Sequence, residues 1–580
     1  MRRLPPERHN FIKGAVILTS ATMLVKVIGM LYKVPLGNIL GASGLSYFAT
    51  AYSIFTPLYA LSVSGLSVAV SRLVAEAYTR RCFREVRKIR RVSLFLFFLI
   101  GMAGMATLLF GAGFFSDLVG NRGAAMSVAA VAPAILFCGL MASYRGYYQG
   151  LGNMSPTALS QVIESVAKLA CGILLSLYII SRAGEEFALY STVFGRYAYS
   201  AEHAHSLMLP WAAAGAVLGV TISTGVGVLV LMLRRLFGDG ITKRELARSP
   251  KARSSAAIAK SILKLALPVC LASAFGFLAS LIDLITIMNR TAVALQINTG
   301  AMFSLLYGKI PASITPERLP SYLFGAFSYT STFFNLAPAI TTTIGISALP
   351  SMSARWTLGD KRAVAAQASS VIKLAGLIAI PAGLGIAALS GPILELFFPN
   401  VSGEIAIAAP LLSMMGIASV LLGITAPVAS IFHAVERADI PLKLIMCGAA
   451  LKFVVNWNLL ANPNVGIYAA PLGTILCYLV VLVGQGIFLS KVVGKEIKIT
   501  SILTKPLICG ILCAVAANTS YKILSRVSES RMMVLFSVLI GGIVYGIFVL
   551  CMKIITKNEV KLLPNGKKIS KILEKLAFLG

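Results

Sequence analysis

Long apolar runs separated by short polar breaks follow one another from residue 11 to residue 555. Fourteen can be marked: 11–34, 46–78, 92–116, 124–149, 155–181, 207–236, 261–289, 322–356, 366–390, 405–435, 441–460, 465–490, 502–524 and 532–555. A helix needs about 20 apolar residues to cross the hydrocarbon core of a bilayer. The pattern therefore predicts an all-α polytopic membrane protein with about fourteen transmembrane helices. The first run is too long for the apolar region of a signal peptide and lacks a convincing cleavage site, so it is expected to remain as a span.

Composition agrees with the pattern. Hydrophobic residues make up 57% of the 580, above the roughly 45–50% of soluble domains. The scale is that of a transporter. The net charge of +31 invites a nucleic-acid reading. The basic residues, however, fall mainly in short breaks between runs, which is the signature of cytoplasmic loops and not of a nucleic-acid surface. Arg2, Arg3, Arg8 and Lys13 precede the first span, and TRRCFREVRKIRR follows the second. A third basic break runs from Arg234 to Lys260. Later even-numbered spans exit into GDKR, VERAD and KVVGKEIK, whereas the opposite breaks (PLGNILGASG, NVSGE, ANPNVG) are nearly free of Lys and Arg. Breaks 182–206 and 290–321 are of mixed sign. Both termini are therefore expected in the cytoplasm.

A weak internal repeat adds organisation. AVSRLVAEAYTRR (69–81) parallels ALPSMSARWTLGD (348–360), and YRGYYQGLGNMSPTALSQ (144–161) parallels ASIFHAVERADIPLKLIM (429–446). The paired elements lie six spans apart, so the repeats keep the same orientation. Two six-helix lobes in pseudo-two-fold arrangement are expected, facing a central cavity, with two extra helices. The expected divisions are an N-terminal lobe at 1–237, a basic cytoplasmic linker at 238–260, a C-terminal lobe at 261–492, the extra spans at 493–556 and a basic tail at 557–580. In that tail Ile569, Ile572, Leu573 and Leu576 share a helical face, which predicts an interfacial amphipathic helix.

Candidate chemistry lies in the charges within spans. A charge at the bilayer centre costs roughly 2.5–3.5 kcal/mol on insertion scales, so such residues face a cavity or a partner. Lys26 lies well inside the first span, and Lys33 near its outer end is placed to snorkel to the interface. Arg72 and Glu76 are four apart and suit either an ion pair or a substrate contact. Arg145 and Gln149 share a face on the fourth span, and Glu164 and Lys168 on the fifth are spaced to neutralise one another. Asp283 is the one acid deep in the seventh span, placed to be protonated, to bind a cation or to answer Lys26 across the lobe interface. Arg355 ends the eighth span, and Lys452 sits within the eleventh. Tyr47, Tyr52 and Tyr59 recur along the second span, suited either to stacking on sugar rings or to packing at a membrane interface. Fixed charge inside the membrane leans positive, which favours an anionic ligand such as a phosphate or diphosphate. Prolines such as Pro57, Pro381 and Pro427, many near glycines, offer points of bending or static kinks.

No P-loop, paired-histidine metal motif or ATPase domain is present, so neither a metal nor a cofactor is expected. The nine cysteines imply no disulfide framework, and HAH at His203 and His205 is assigned to a solvated outer loop.

The segment FIKGAVILTSATMLVKVIGMLYKVPLGNILGASGLSYFATAYSIF, followed by GLSVAVSRLVAEA and by RGYYQGLGNMSPTALSQ, resembles the polysaccharide flippases of the MOP superfamily. The likeness is strongest to the stage V sporulation protein B branch, related to the lipid II flippases. It implies alternating access and export of undecaprenyl-diphosphate-linked saccharides, with membrane lipids and envelope-synthesis proteins as further partners. In those flippases the first helix carries basic residues. Lys26 falls at the first such position, while the next falls on Tyr32, with Lys33 adjacent. On this reading Lys26, Arg72, Arg145, Gln149, Asp283 and Lys452 contact substrate, and Glu76, Glu164, Lys168 and Arg355 are structural or gating residues. Three alternatives remain: a cation-coupled multidrug exporter using Asp283, a glycan polymerase or ligase, and a membrane scaffold.

Overall fold

The computed structural model describes residues 6–236, 241–311, 314–494, 497, 499–528 and 530–554. The amphipathic tail expected at 557–580 lies outside the described residues. The chain is almost wholly helical. Helices α1 (Pro6–Tyr59), α2 (Gly65–Thr79), α3 (Phe83–Phe110) and the short α4 (Ala112–Val119) lead into α5 (Ala125–Gly150) and α6 (Ser155–Tyr190). A small antiparallel hairpin, β1 (Thr192–Val193) and β2 (Arg196–Tyr197), pairs Thr192 with Tyr197. After it come α7 (Ala201–Leu236), α8 (Lys243–Arg248), α9 (Ser255–Gly276), α10 (Leu278–Leu305), α11 (Leu319–Phe334) and α12 (Leu336–Thr357). The remainder is α13 (Lys361–Ala388), the short α14 (Ser390–Phe397), α15 (Ser402–Ala434), α16 (Asp439–Leu459), α17 (Ala469–Val493), α18 (Ile499–Val527) and α19 (Met533–Cys551).

Among the described residues 13 helical stretches are long and apolar enough to span a membrane, against about fourteen expected. The difference lies at the start. The expected polar break after Lys33 is helical, and its only irregularity is Gly41 at φ 61° and ψ −176°. That single residue reverses the chain. Tyr32 and Phe48 have ring centroids 5.9 Å apart, whereas 16 residues of straight helix would separate them by about 24 Å. Glycine suits this position because it carries no Cβ to oppose a positive φ. The reversal is locked from α11, where a Cβ at Gly325 would run into the Ala42 carbonyl.

Elsewhere the basic break 79–91 is mostly helix, since α3 begins at Phe83 and the chain turns only at Arg81, φ 57°. Between Pro57 and Gly65 the helix widens into a π segment over Ala60–Ser64, the kind of bulge that prolines and functional sites commonly impose on membrane helices. The break 182–206, expected on the outer side, is no simple solvated loop. Glu186 accepts the backbone N–H groups of Phe194 at 3.0 Å and Gly195 at 2.9 Å and holds the hairpin, while His203 stacks on Tyr199.

Packing divides the chain into two compact units: Met1–Ala292 with Ala312–Gly325, and Val293–Pro311 with Ala326–Gly580. The division does not fall in the expected 238–260 linker. Helix α9, expected to open the second lobe, packs with the first because Gly65 of α2 lets it approach. A Cβ there would meet the Ala266 carbonyl and the Cys270 amide. Part of the linker is bound down too, with Arg84 donating to the carbonyls of Leu246 and Ala247 at 3.0 and 3.1 Å.

Close helix contacts in the first unit run through small residues, as in other membrane bundles. Gly219 of α7 faces Gly172 of α6, and Gly146 and Gly150 of α5 face Ser67 and Ser71 of α2. In the second unit Gly383 of α13 faces Gly416 of α15, and a core of Met352, Ile372, Phe432 and Leu489 fills the space below.

Candidate functional site

The reversal at Gly41 brings both arms of α1 against α6, and a polar cluster forms there inside the first unit. On α6, Ser160, Glu164 and Lys168 are spaced four apart and share one face. The Lys168 ammonium donates to the Tyr52 hydroxyl at 2.5 Å. It also lies 5.1 Å from the centroid of the Tyr32 ring and 4.8 Å from that of Tyr52, within the range of a cation–π contact. Tyr32 is held in place: it is 1% exposed, its hydroxyl donates to the Ala216 carbonyl of α7 at 3.0 Å, and its ring lies over Gly172. Lys33, next along α1, is half-buried and near enough to Lys168 for the two charges to interact. From α5, Arg145 pairs with Glu164 at 2.8 Å and donates through Nε to Ser160 at 3.1 Å.

Among the described residues this cluster sets three cations (Lys33, Lys168, Arg145) against one carboxylate (Glu164). An aromatic ladder of Phe48, Tyr52, Phe55 and Tyr59 runs beside it, with ring spacings of 4.8 to 6.2 Å. The excess positive charge, with hydroxyls in reach and low-dielectric walls, suits an anion carrying more than one negative charge.

The residues singled out in the sequence disperse around this centre. Arg145, Glu164 and Lys168 meet in it, but Glu164 takes Arg145 as its hydrogen-bonded ion-pair partner while Lys168 turns to Tyr52. Gln149 is one turn below Arg145 and half-buried. Lys26 is exposed and two turns from Lys33, so it shares that face of α1 about 10 Å away. Arg72 is exposed, and Glu76 pairs with Arg80 at 2.9 Å, not with Arg72. Asp283 is buried at 8% exposure on the part of α10 that belongs to the first unit. It therefore shares a unit with Lys26 and does not face it across lobes. Arg355 is exposed in the last turn of α12.

Lys452 differs most from expectation. It is 1% exposed on α16, packed beneath Gly473 of α17, and offers a ligand no surface. Conversely Lys33 does more than reach for the interface, and Tyr52 does more than pack. The seven-residue spacing of Lys26 and Lys33, two turns on one face, was the available signal for the first. The recurrence of Tyr47, Tyr52 and Tyr59 marked Tyr52 as a candidate, but nothing in the sequence marked its partner Lys168, 116 residues away.

Residues 11–356 match the family model described as polysaccharide biosynthesis protein, and residues 313–458 match MatE. Stage V sporulation protein B of Bacillus subtilis (strain 168) is 22% identical over 560 residues, covering 96% of this chain and 98% of that one. The lipid II flippase MurJ of the same organism is 21% identical over 556 residues, covering 92% and 94%. Among solved structures, MurJ in an inward closed conformation superposes with a TM-score of 0.63 at 14% identity, over 93% of this chain and 98% of that one. An inward-facing multidrug resistance MATE family transporter of the MOP superfamily reaches 0.55 at 16% identity, over 82% and 98%. These structural likenesses establish the fold.

Proposed function

The chain belongs to the polysaccharide biosynthesis protein family of the MOP superfamily, and from that premise we propose that it is a flippase for lipid-linked saccharides. Its cargo is an undecaprenyl-diphosphate-linked unit, a peptidoglycan precursor or another envelope saccharide, carried from the inner to the outer leaflet by alternating access. The observation that carries this reading is the cluster of Lys33, Lys168 and Arg145 around a single carboxylate. A diphosphate supplies the negative charge the cluster lacks, and the Tyr52 hydroxyl and two ammonium groups supply donors for its oxygens. The prenyl tail stays in the bilayer while the sugar crosses shielded from hydrocarbon. The relative named a lipid II flippase supports the class of cargo.

A multidrug resistance MATE family transporter shares the fold, and the second reading is a cation-coupled exporter of cationic drugs. It would meet repulsion at this cluster, and the acid assigned to coupling, Asp283, is buried at 8% exposure.

The test is native mass spectrometry of the full chain against undecaprenyl-diphosphate saccharides, with Lys26→Gln, Lys33→Gln and Lys168→Gln in turn. Selective binding that falls steeply for the latter two supports the reading. Binding indifferent to all three removes it.

A further inference from the structure

A second feature of the first unit is unrelated to that cluster. A groove of about 800 Å³ opens between the start of α3 and the α8–α9 segment. Its size lies within the roughly 300–1,000 Å³ of clefts that hold small ligands. One end is lined by Arg84, Arg87, Lys88 and Arg91. Further along the same helix the lining turns to Val92, Phe95, Leu96 and Leu99. Positions 84, 88, 91, 95 and 99 recur at three and four, so one face of α3 changes from cationic to apolar within about 22 Å. Ser255, Ala256 and Ala259 form the facing wall, and their small side chains leave the space open.

Among the described residues no acid lines the groove. Two described acids nearby are committed elsewhere: Glu85 to Arg253 at 2.5 Å, and Glu245 to the Thr242 amide and hydroxyl at 2.8 and 2.7 Å. Arg84 spends its guanidinium on the carboxyl end of α8, and Arg87 donates to the Ile241 carbonyl at 3.4 Å. These two build the wall, which leaves Lys88 and Arg91 to meet a ligand. Phe95 is 66% exposed on a helix apolar enough to span a bilayer. The apolar half of the groove is therefore bathed in acyl chains, where a soluble anion or an acidic peptide has no reason to reach.

We propose that this groove is a site for an anionic phospholipid, its phosphate on Lys88 and Arg91 and one acyl chain along Phe95 and Leu99. The matching of a charged head and an apolar tail to one continuous helix face selects a lipid over free phosphate. The site does not depend on the transport reading. Its leaflet rests on the basic loops, which put it on the cytoplasmic side by the charge bias of membrane loops.

The experiment purifies the full chain in mild detergent and counts co-purified and added phosphatidylglycerol against phosphatidylcholine by native mass spectrometry. Wild type should retain phosphatidylglycerol preferentially. Lys88→Gln and Arg91→Gln should each weaken retention about fivefold, the worth of one cation at an anionic lipid surface. Ala256→Trp, at an exposed position with every charge intact, should lower it by filling the groove. Lys361→Gln with Arg362→Gln, an exposed basic pair of the second unit, should leave it unchanged. Equal retention of the two lipids overturns the proposal, as does retention indifferent to the groove variants. Full displacement by inorganic phosphate also overturns it, since the site would then read the anion alone. Binding of the saccharide lipid is scored separately, so loss of that activity leaves this result untouched.

Discussion

Lys168 and Lys452 are both lysines in the middle of an apolar helix, yet the structure treats them in opposite ways. Lys168 stays partly open, beside a second lysine and against two tyrosines, in a cluster with more cations than acids. Lys452 is sealed at 1% exposure under Gly473, with Asn456 packed beside it. The insertion cost of the charge is similar in both, so the charge itself marks only that something compensates it. Access decides the role. A cation that a ligand can reach is available to bind, and a cation enclosed by its own unit serves the fold.

The comparison breaks most sharply in binding. Joint replacement Lys33→Gln and Lys168→Gln should weaken affinity for a lipid-linked diphosphate by about 3–6 kcal/mol, at roughly 1.5–3 kcal/mol for each charged hydrogen bond. Lys452→Gln should leave that affinity within about twofold while lowering thermal stability, since a buried polar group is strongly coupled to its surroundings. Equal loss of affinity in both variants would show that access is not what separates them.

Two glycines sharpen the contrast at the next level. A Cβ at Gly172 would press on the Tyr32 ring, and one at Gly473 would overlap the Asn456 amide. Each alanine variant should cost about 1–3 kcal/mol of stability as overpacking. Only Gly172→Ala should also reduce saccharide-lipid binding, because only there does the displaced side chain roof the cluster. Chemical denaturation and binding measured on the same preparations separate the two effects.

Tyr52→Phe removes the hydroxyl that Lys168 holds and keeps the ring. The expected change in affinity is smaller, about 0.5–1.5 kcal/mol, with the aromatic ladder and the fold intact. A null result would reduce Tyr52 to packing.

The smallest effect belongs to a site outside both regions. Hydrogen bonds from the Thr242 amide and hydroxyl hold the exposed Glu245 carboxyl below its ordinary range. That contribution to α8 is present above the unfolded value, about pH 4.3, and is lost as pH falls through the lowered folded value. Protection of the α8 amides from exchange, relative to the unstructured rate at the same pH, should therefore fall on acidification below about pH 4, sooner in Thr242→Ala, with no change around Lys168.

The lysine contrast also measures how much the residues reveal by themselves. Apolar runs of membrane-spanning length, the basic breaks between them and the resemblance in the first two spans made the helical membrane fold and its family legible, because hydrophobic length is a local property that bilayer thickness converts directly into structure. The basic lean of the intramembrane charge was legible too, and the proposal of an anionic ligand rests on it.

What the sequence left open was every pairing across helices. Glu164 sits four residues from Lys168, yet the arginine that reaches its carboxylate comes from another helix. Tyr52 meets Lys168 only because Gly41 reverses the chain between Tyr32 and Phe48. Helix α9 joins the first unit because Gly65 leaves no side chain in its way. Spacing along one helix says which side chains share a face, but which face turns toward a neighbour is set by close backbone approach at small residues. Tertiary packing alone decided that Lys168 would be reachable and Lys452 would not.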